Sequence, residues 1–341
     1  MKKSNEFIFV LIFLSFKMLA QNEGLLIDKM TAINPTSYTD VVYVGSRDTA
    51  VISTYSGRLS KIIKNQPGEK IITNLNDEIY SLAYNNKRKE IAASTMEGGI
   101  KIINLTSGKI IKTIPLKTTW SNLILYSDDF NYLLAHDVKG NRYIWDVTKN
   151  YKTIEFPSKI PNGRIFQMTD ESLLKIITNK NLYTWNYNED KLQKIDSINI
   201  KRFGDIDEHG NILSVDFNTC YLFENENKKN KFEVKHPNWL RYYKDFPKYE
   251  IYKKQNPNDF TDDGYLIMEG YHMQLTMVRF IKDKICTASI DRSIRVWDKS
   301  TGNLIDSLTG HKGTVNKIKV NNNNDQLVSV DLKGGIKFWD F

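Results

Sequence analysis

The chain has 341 residues, with 48 Lys and Arg against 40 Asp and Glu and a formal net charge of +8. Spread over a chain of this size the surplus is mild and lacks the concentrated stripe of a nucleic-acid binder, so nucleic acid is not an expected partner. The length suffices for a sizeable core, since a domain of about 300 residues buries roughly three quarters of its unfolded surface.

Lys2 and Lys3 precede an apolar run from Phe7 to Phe16, and Ala20 is followed by Gln21. This is the layout of a secretory signal peptide over residues 1–20. The run falls short of the ~20 apolar residues a spanning helix needs, and no later stretch is apolar enough to span a membrane, so the mature chain is expected to have no transmembrane segment. No cysteine lies near the cut, which argues against a lipid anchor. The expected location is the periplasm, the cell envelope or the medium. The leader carries three lysines and Glu6, leaving about +6 on the mature chain.

From residue 21 onward, short strand-like runs alternate with turn residues. Leu25–Met30 reads as a strand, and VVYVGSRDTAVIS ends near Ile52. IAASTMEGGIKIIN ends at Asn104, LLAHDVKGNRYIWD at Asp146, LLKIITNKNLYTWN at Asn186 and ILSVDFNTCYLFEN at Asn225. KICTASIDRSIRVWD and QLVSVDLKGGIKFWD close the last two units. YSGR (55–58), LTSGK (105–109) and STGN (300–303) mark corresponding hairpins. Trp145, Trp185, Trp297 and Trp339 take one position in this pattern; Ile52, Ile103 and Phe223 are read as its other occupants. A self-similar period near 40 residues with a W-D signature predicts an all-β propeller of four-stranded blades, a single domain over 21–341. Seven blades follow directly, with room for an eighth in the long gap before Trp297. The chain stops two residues after Trp339, so Leu25–Met30 is expected to pair with the last blade and close the ring.

These units resemble WD40 repeats, a Gly-His opening a unit and a Trp-Asp closing it. In that family a His, a Ser or Thr, an Asp and the Trp form a hydrogen-bonded network. The resemblance implies such a network from His272, Ser289, Asp291 and Trp297, and another from His311, Ser329 and Trp339. In the last unit Lys333 stands at the turn position and the acid is Asp331, two residues earlier. The implied role of these residues is structural, and the implied function is that of a rigid protein-interaction scaffold without enzymatic activity.

Residues 224–264 break the period and read either as a degenerate blade or as an insertion between strands. The segment interleaves aromatic and basic residues, the combination that binding hot spots use. Trp239, Arg241, Tyr242, Tyr243 and Lys244 are the candidate partner-binding residues. Cys220 and Cys286 are expected to be buried free thiols rather than a disulfide. No phosphate loop, H-E-x-x-H or G-x-S-x-G is present, and the histidines at 136, 209, 236, 272 and 311 are scattered. No catalytic residue, cofactor or metal site is therefore expected. The quinone-cofactor type of propeller would place a Trp after the hairpin glycine, where Gly108 and Gly302 are followed by none. The alternative functions are a hydrolytic or carbohydrate-binding propeller with carboxylates at the channel mouth, and binding of an acidic glycan or polymer through the 228–254 lysines.

Overall fold

Runs rich in Ile, Val, Leu and aromatic residues, each stopped by Gly, Asn, Asp or Ser, set the strands of this chain. A computed structural model describes residues 37–341 apart from 118–119, 179, 199, 226–229, 244–245, 261–263 and 265. The signal peptide and the closing strand expected at Leu25–Met30 lie outside the described residues.

The strands form seven antiparallel blades, arranged in chain order. From channel to rim, blade 1 comprises Tyr38–Tyr43, Thr49–Thr54, Arg58–Ile63 and Lys70–Asn74. Blade 2 comprises Ile79–Asn85, Glu90–Thr95, Gly99–Asn104 and Ile110–Ile114, and blade 3 Ser121–Tyr126, Tyr132–Asp137, Arg142–Asp146 and Lys152–Ile154. Blade 4 is built from Arg164–Met168, Leu173–Ile177, Asn181–Asn186 and Lys191–Ser197. Blade 5 is built from Arg202–Ile206, Ile212–Asp216, Thr219–Phe223 and Asn230–Lys235. Blade 6 holds Leu275–Ile281, Lys284–Ser289, Ile294–Asp298 and Leu304–Leu308. Blade 7 contributes Val315–Val320, Gln326–Asp331 and Ile336–Asp340, three strands among the described residues.

The core is a ring of seven interblade clusters. Trp145 packs with Ala92 and Ile102 of blade 2, Trp185 with Leu134 and Ile144 of blade 3. Trp297 joins Leu213 and Leu222 of blade 5, and Trp339 joins Cys286 and Val296 of blade 6. Ile103 and Phe223 face the preceding blade in the same way. Each aromatic therefore fills the gap behind its own blade, where a large apolar side chain removes the most surface from water. Ile52 corrects the expected pattern. It lies on the second strand of blade 1, paired with Val41 and Ser60, and Ile62 on the third strand takes the tryptophan's place. The first interval then shortens from fifty-one residues to forty-one, in line with the rest.

The ring closes between blades 7 and 1. Tyr38, Val41, Ile52 and Ile62 pack against Val328 and Val330. Asn316 Nδ2 donates to the Thr39 carbonyl at 2.9 Å, and Ser37 Oγ donates to the Leu332 carbonyl at 2.5 Å. Arg47 reaches Asp340 at 2.7 Å and also pairs with Asp325, while Lys64 pairs with Asp340.

Among the described residues the gap before Trp297 holds no eighth four-stranded blade. Blade 5 is complete with Asn230–Lys235, and a two-stranded ribbon follows, Asn238–Tyr243 against Leu266–His272. Between its strands run the short helix Tyr249–Gln255 and a 3-10 turn at Pro257–Asp259.

Candidate functional site

Two side-chain networks fix loops onto blades. In blade 7, His311 Nδ1 donates to Asp331 Oδ2 at 2.8 Å, and Nε2 lies 2.7 Å from Ser329 Oγ. Ser329 Oγ also accepts the Trp339 indole N–H at 2.8 Å. A carboxylate only accepts, so the Nδ1 that faces it carries a proton. Lys333 contributes its backbone amide to Asp331 at 2.8 Å, as does Gly335. Burial pushes the Asp331 carboxyl up, but the hydrogen bond from His311 and the Gly335 and Lys333 amides outweigh it and hold the pKa at about 2.

In blade 6 the imidazole comes from His236 rather than His272. His236 Nδ1 donates to Asp291 Oδ2 at 2.8 Å, and Nε2 lies 2.7 Å from Thr287 Oγ1, which accepts the Trp297 indole N–H at 2.8 Å. His272 stands at the end of the ribbon, in register with Asn238. The hydroxyl is also shifted by two residues. Ser289 Oγ instead donates to the Met273 carbonyl at 3.2 Å and accepts the Asp291 amide at 3.2 Å. The insertion explains the first displacement: the loop histidine of blade 6 precedes the ribbon, and the blade's own first strand follows it. Equal spacing could have found the second, because Thr287 and Ser329 each stand ten residues before their tryptophans. In blade 3 a tyrosine replaces the imidazole. Tyr143 donates to Asp137 at 3.0 Å and stacks on Trp145 with ring centroids 5.4 Å apart.

The candidate partner-binding residues Trp239, Arg241, Tyr242 and Tyr243 lie on the first ribbon strand. Arg241 pairs with Met268, Tyr242 with Ile267 and Tyr243 with Leu266, while Lys244 lies outside the described residues. Beyond them, Phe246, Tyr249, Tyr252 and Phe260 form a cluster of edge-on and tilted rings with centroids 5.3–6.2 Å apart. Lys253 Nζ lies 5.5 Å from the Tyr249 ring and 5.9 Å from that of Phe260. Helix Tyr249–Gln255 buries none of its residues, and Ile251 is 57% exposed.

Two carboxylates stand on inner strands, and both tie one blade to the next. Asp40 Oδ2 accepts the Leu82 amide at 2.8 Å, and Asp205 Oδ2 accepts the Phe280 amide at 2.9 Å. Among the described residues no three His, Cys, Asp or Glu side chains are placed to hold a metal ion, and no helix is long and apolar enough to cross a membrane.

Seven radial blades, two of them locked by a His–Asp–hydroxyl–Trp network, define a β-propeller. Residues 302–340 match the family described as WD domain, G-beta repeat. A WD repeat-containing protein of Schizosaccharomyces pombe, titled uncharacterized, is 22% identical over 274 residues. That match takes in 77% of this chain and 65% of the relative, less than two thirds of its length. The structure of U3-55K superposes with a TM-score of 0.63 at 14% identity, over 86% of this chain and 88% of that one. The WD40 β-propeller domain of Doa1 gives a TM-score of 0.62 at 10% identity, over 91% and 94%. These likenesses establish the fold.

Proposed function

We propose that the chain is an exported, non-enzymatic scaffold that binds a protein partner through the insertion between blades 5 and 6. One observation carries the reading. The helix Tyr249–Gln255 buries none of its own residues and presents Ile251 and Tyr252 to solvent, while the blades on either side are complete without it. Aromatic side chains already packed edge-on or tilted against one another lose little freedom on binding, so an interface built from them incurs a small ordering cost. A ring of seven packed blades supplies a stiff mount for that surface. The N-terminal basic and apolar layout supports export.

The test is a cross-linked pull-down of the processed protein from its native envelope or medium, beside an Ile251→Asp, Tyr252→Ala variant of unchanged melting temperature. A protein captured by the wild type and lost by the variant supports the reading. Capture that survives both changes moves the site off the insertion, and no specific capture from either sample overturns the scaffold. Mass spectrometry of the mature protein tests export, with Gln21 as the expected first residue.

A further inference from the structure

The inner strands of the seven blades differ in charge. Those of blades 1–3, YTDVVY, IYSLAYN and SNLILY, contain no lysine or arginine. Those of blades 4–7 supply Arg164, Arg202, Arg279, Lys317 and Lys319. Inner strands surround the central channel of a propeller, so the cations gather along one side of it.

One acid, Asp205, shares these four strands with them. Arg279 lies 4.0 Å from Asp205, and its Nη1 is engaged by the carbonyls of Gly204 and Val278. Arg202 Nη2 donates to the Leu275 carbonyl at 2.8 Å, and the Arg164 guanidinium lies 5.6 Å from the centre of the Phe203 ring. Among the described residues neither Arg164 nor Arg202 forms an ion pair. Burial, then the nearby Arg279 and Arg202, draw the Arg164 pKa down to about 10, and Asp205 only partly offsets them. Beside Arg164 and Arg202 opens a cavity of about 400 Å³, lined also by Lys201, Phe203, Asn162 and Thr178, with no carboxylate in its wall. A second cavity of about 260 Å³ adjoins Arg202 and carries one acid, Asp216.

We propose that the larger cavity binds a multivalent oxyanion of the phosphate class. Its volume is that of a small-molecule site, and its lining residues include Arg164, Arg202, Lys201, Asn162 and Thr178, all able to donate hydrogen bonds to an anion. Guanidinium groups match tetrahedral oxyanions in geometry as well as charge. An arriving anion would also offset the repulsion between Arg164 and Arg202. The site lies in the blades and is independent of the insertion.

The test is calorimetric titration of the full chain at constant ionic strength with pyrophosphate, a free oxyanion, and with phenyl phosphate, an ester-borne one. Saturable binding of either is expected, and which of the two binds more tightly tells a free anion from a group carried on a larger molecule. Arg164→Gln and Arg202→Gln are each expected to weaken binding about tenfold or more. Lys152→Gln, which removes one charge from the outer strand of blade 3, is expected to leave it unchanged. Without anion, Arg164→Gln is expected to keep or raise the melting temperature, since it removes one of three like charges; a merely structural arginine would lower it. Binding that is absent, that survives both arginine changes, or that falls equally in the lysine variant would overturn the site.

Discussion

His236 Nδ1 lies 2.8 Å from Asp291 Oδ2 although 55 residues separate them in sequence. In blade 7 the equivalent pair, His311 and Asp331, is separated by 20. The blade 6 network has thus kept its geometry while its chain was split by the ribbon and helix. Both ring nitrogens of His236 are committed, one to the turn and one to the strand hydroxyl that also holds Trp297.

Removing His236 should therefore undo the network on both sides at once. His236→Ala leaves the buried Thr287 hydroxyl and the Asp291 carboxylate short of a partner, and about 2–3 kcal/mol of stability is expected to be lost. Urea unfolding of His236→Ala beside the wild type checks this, and an unchanged midpoint would show that the network does not hold the blade.

Acid stability should carry the mark of Asp331. Its pKa falls from the ordinary 3.8 to about 2 in the folded chain. The stabilisation is complete above the unfolded value and disappears as pH falls through the folded one, so the window runs from about pH 4 to about pH 2. Across it the wild type is expected to lose about 2 kcal/mol more than Asp331→Asn does, in denaturant titrations repeated at each pH. Parallel acid limbs for the two proteins would contradict this.

Gly108 is placed where only glycine fits. Its φ is +68°, and an added Cβ would stand 2.3 Å from the Ile72 carbonyl oxygen on the outer strand of blade 1. The hairpin of blade 2 thus leans directly on the backbone of its neighbour. Gly108→Ala is expected to lower stability by about 2 kcal/mol or more, through both the strained φ and the collision. A change in melting temperature within error would show that the hairpin can lift away freely.

Cys220 and Cys286 are free and buried, in different interblade clusters. Burial pushes both thiols above their ordinary range. Neither is expected to react with a thiol reagent in the folded protein, and both should react after unfolding in denaturant. Rapid labelling of either in the native state would show local opening between blades 5 and 7.

The sequence made the blades legible where a tryptophan marks them, because one bulky ring is needed to fill each gap behind a blade. Blade 1 was misread there. Its third strand, RLSKII, carries no aromatic residue, and the more apolar TAVIST beside it took the position. The blade 7 network could be read from His311, Ser329 and Trp339, whose spacing is undisturbed. That of blade 6 could not be read whole: Asp291 and Trp297 were in place, but His236 was hidden beyond the insertion and Thr287 behind the nearer Ser289. The channel arginines gave no local signal at all. They lie on three separate strands, one each in blades 4, 5 and 6, and become neighbours only when the ring is formed.

Closure of blade 7 on blade 1 joins residues as distant as Ser37 and Leu332, 295 positions apart. A growing chain that has already produced Tyr38, Val41, Ile52 and Ile62 must therefore keep that apolar face uncovered until Val328 and Val330 are made. At roughly 5–20 residues per second the wait lasts tens of seconds, long compared with the milliseconds to seconds in which small β domains fold. The last link of the belt sets the interval during which the chain is most open to aggregation and most in need of a chaperone.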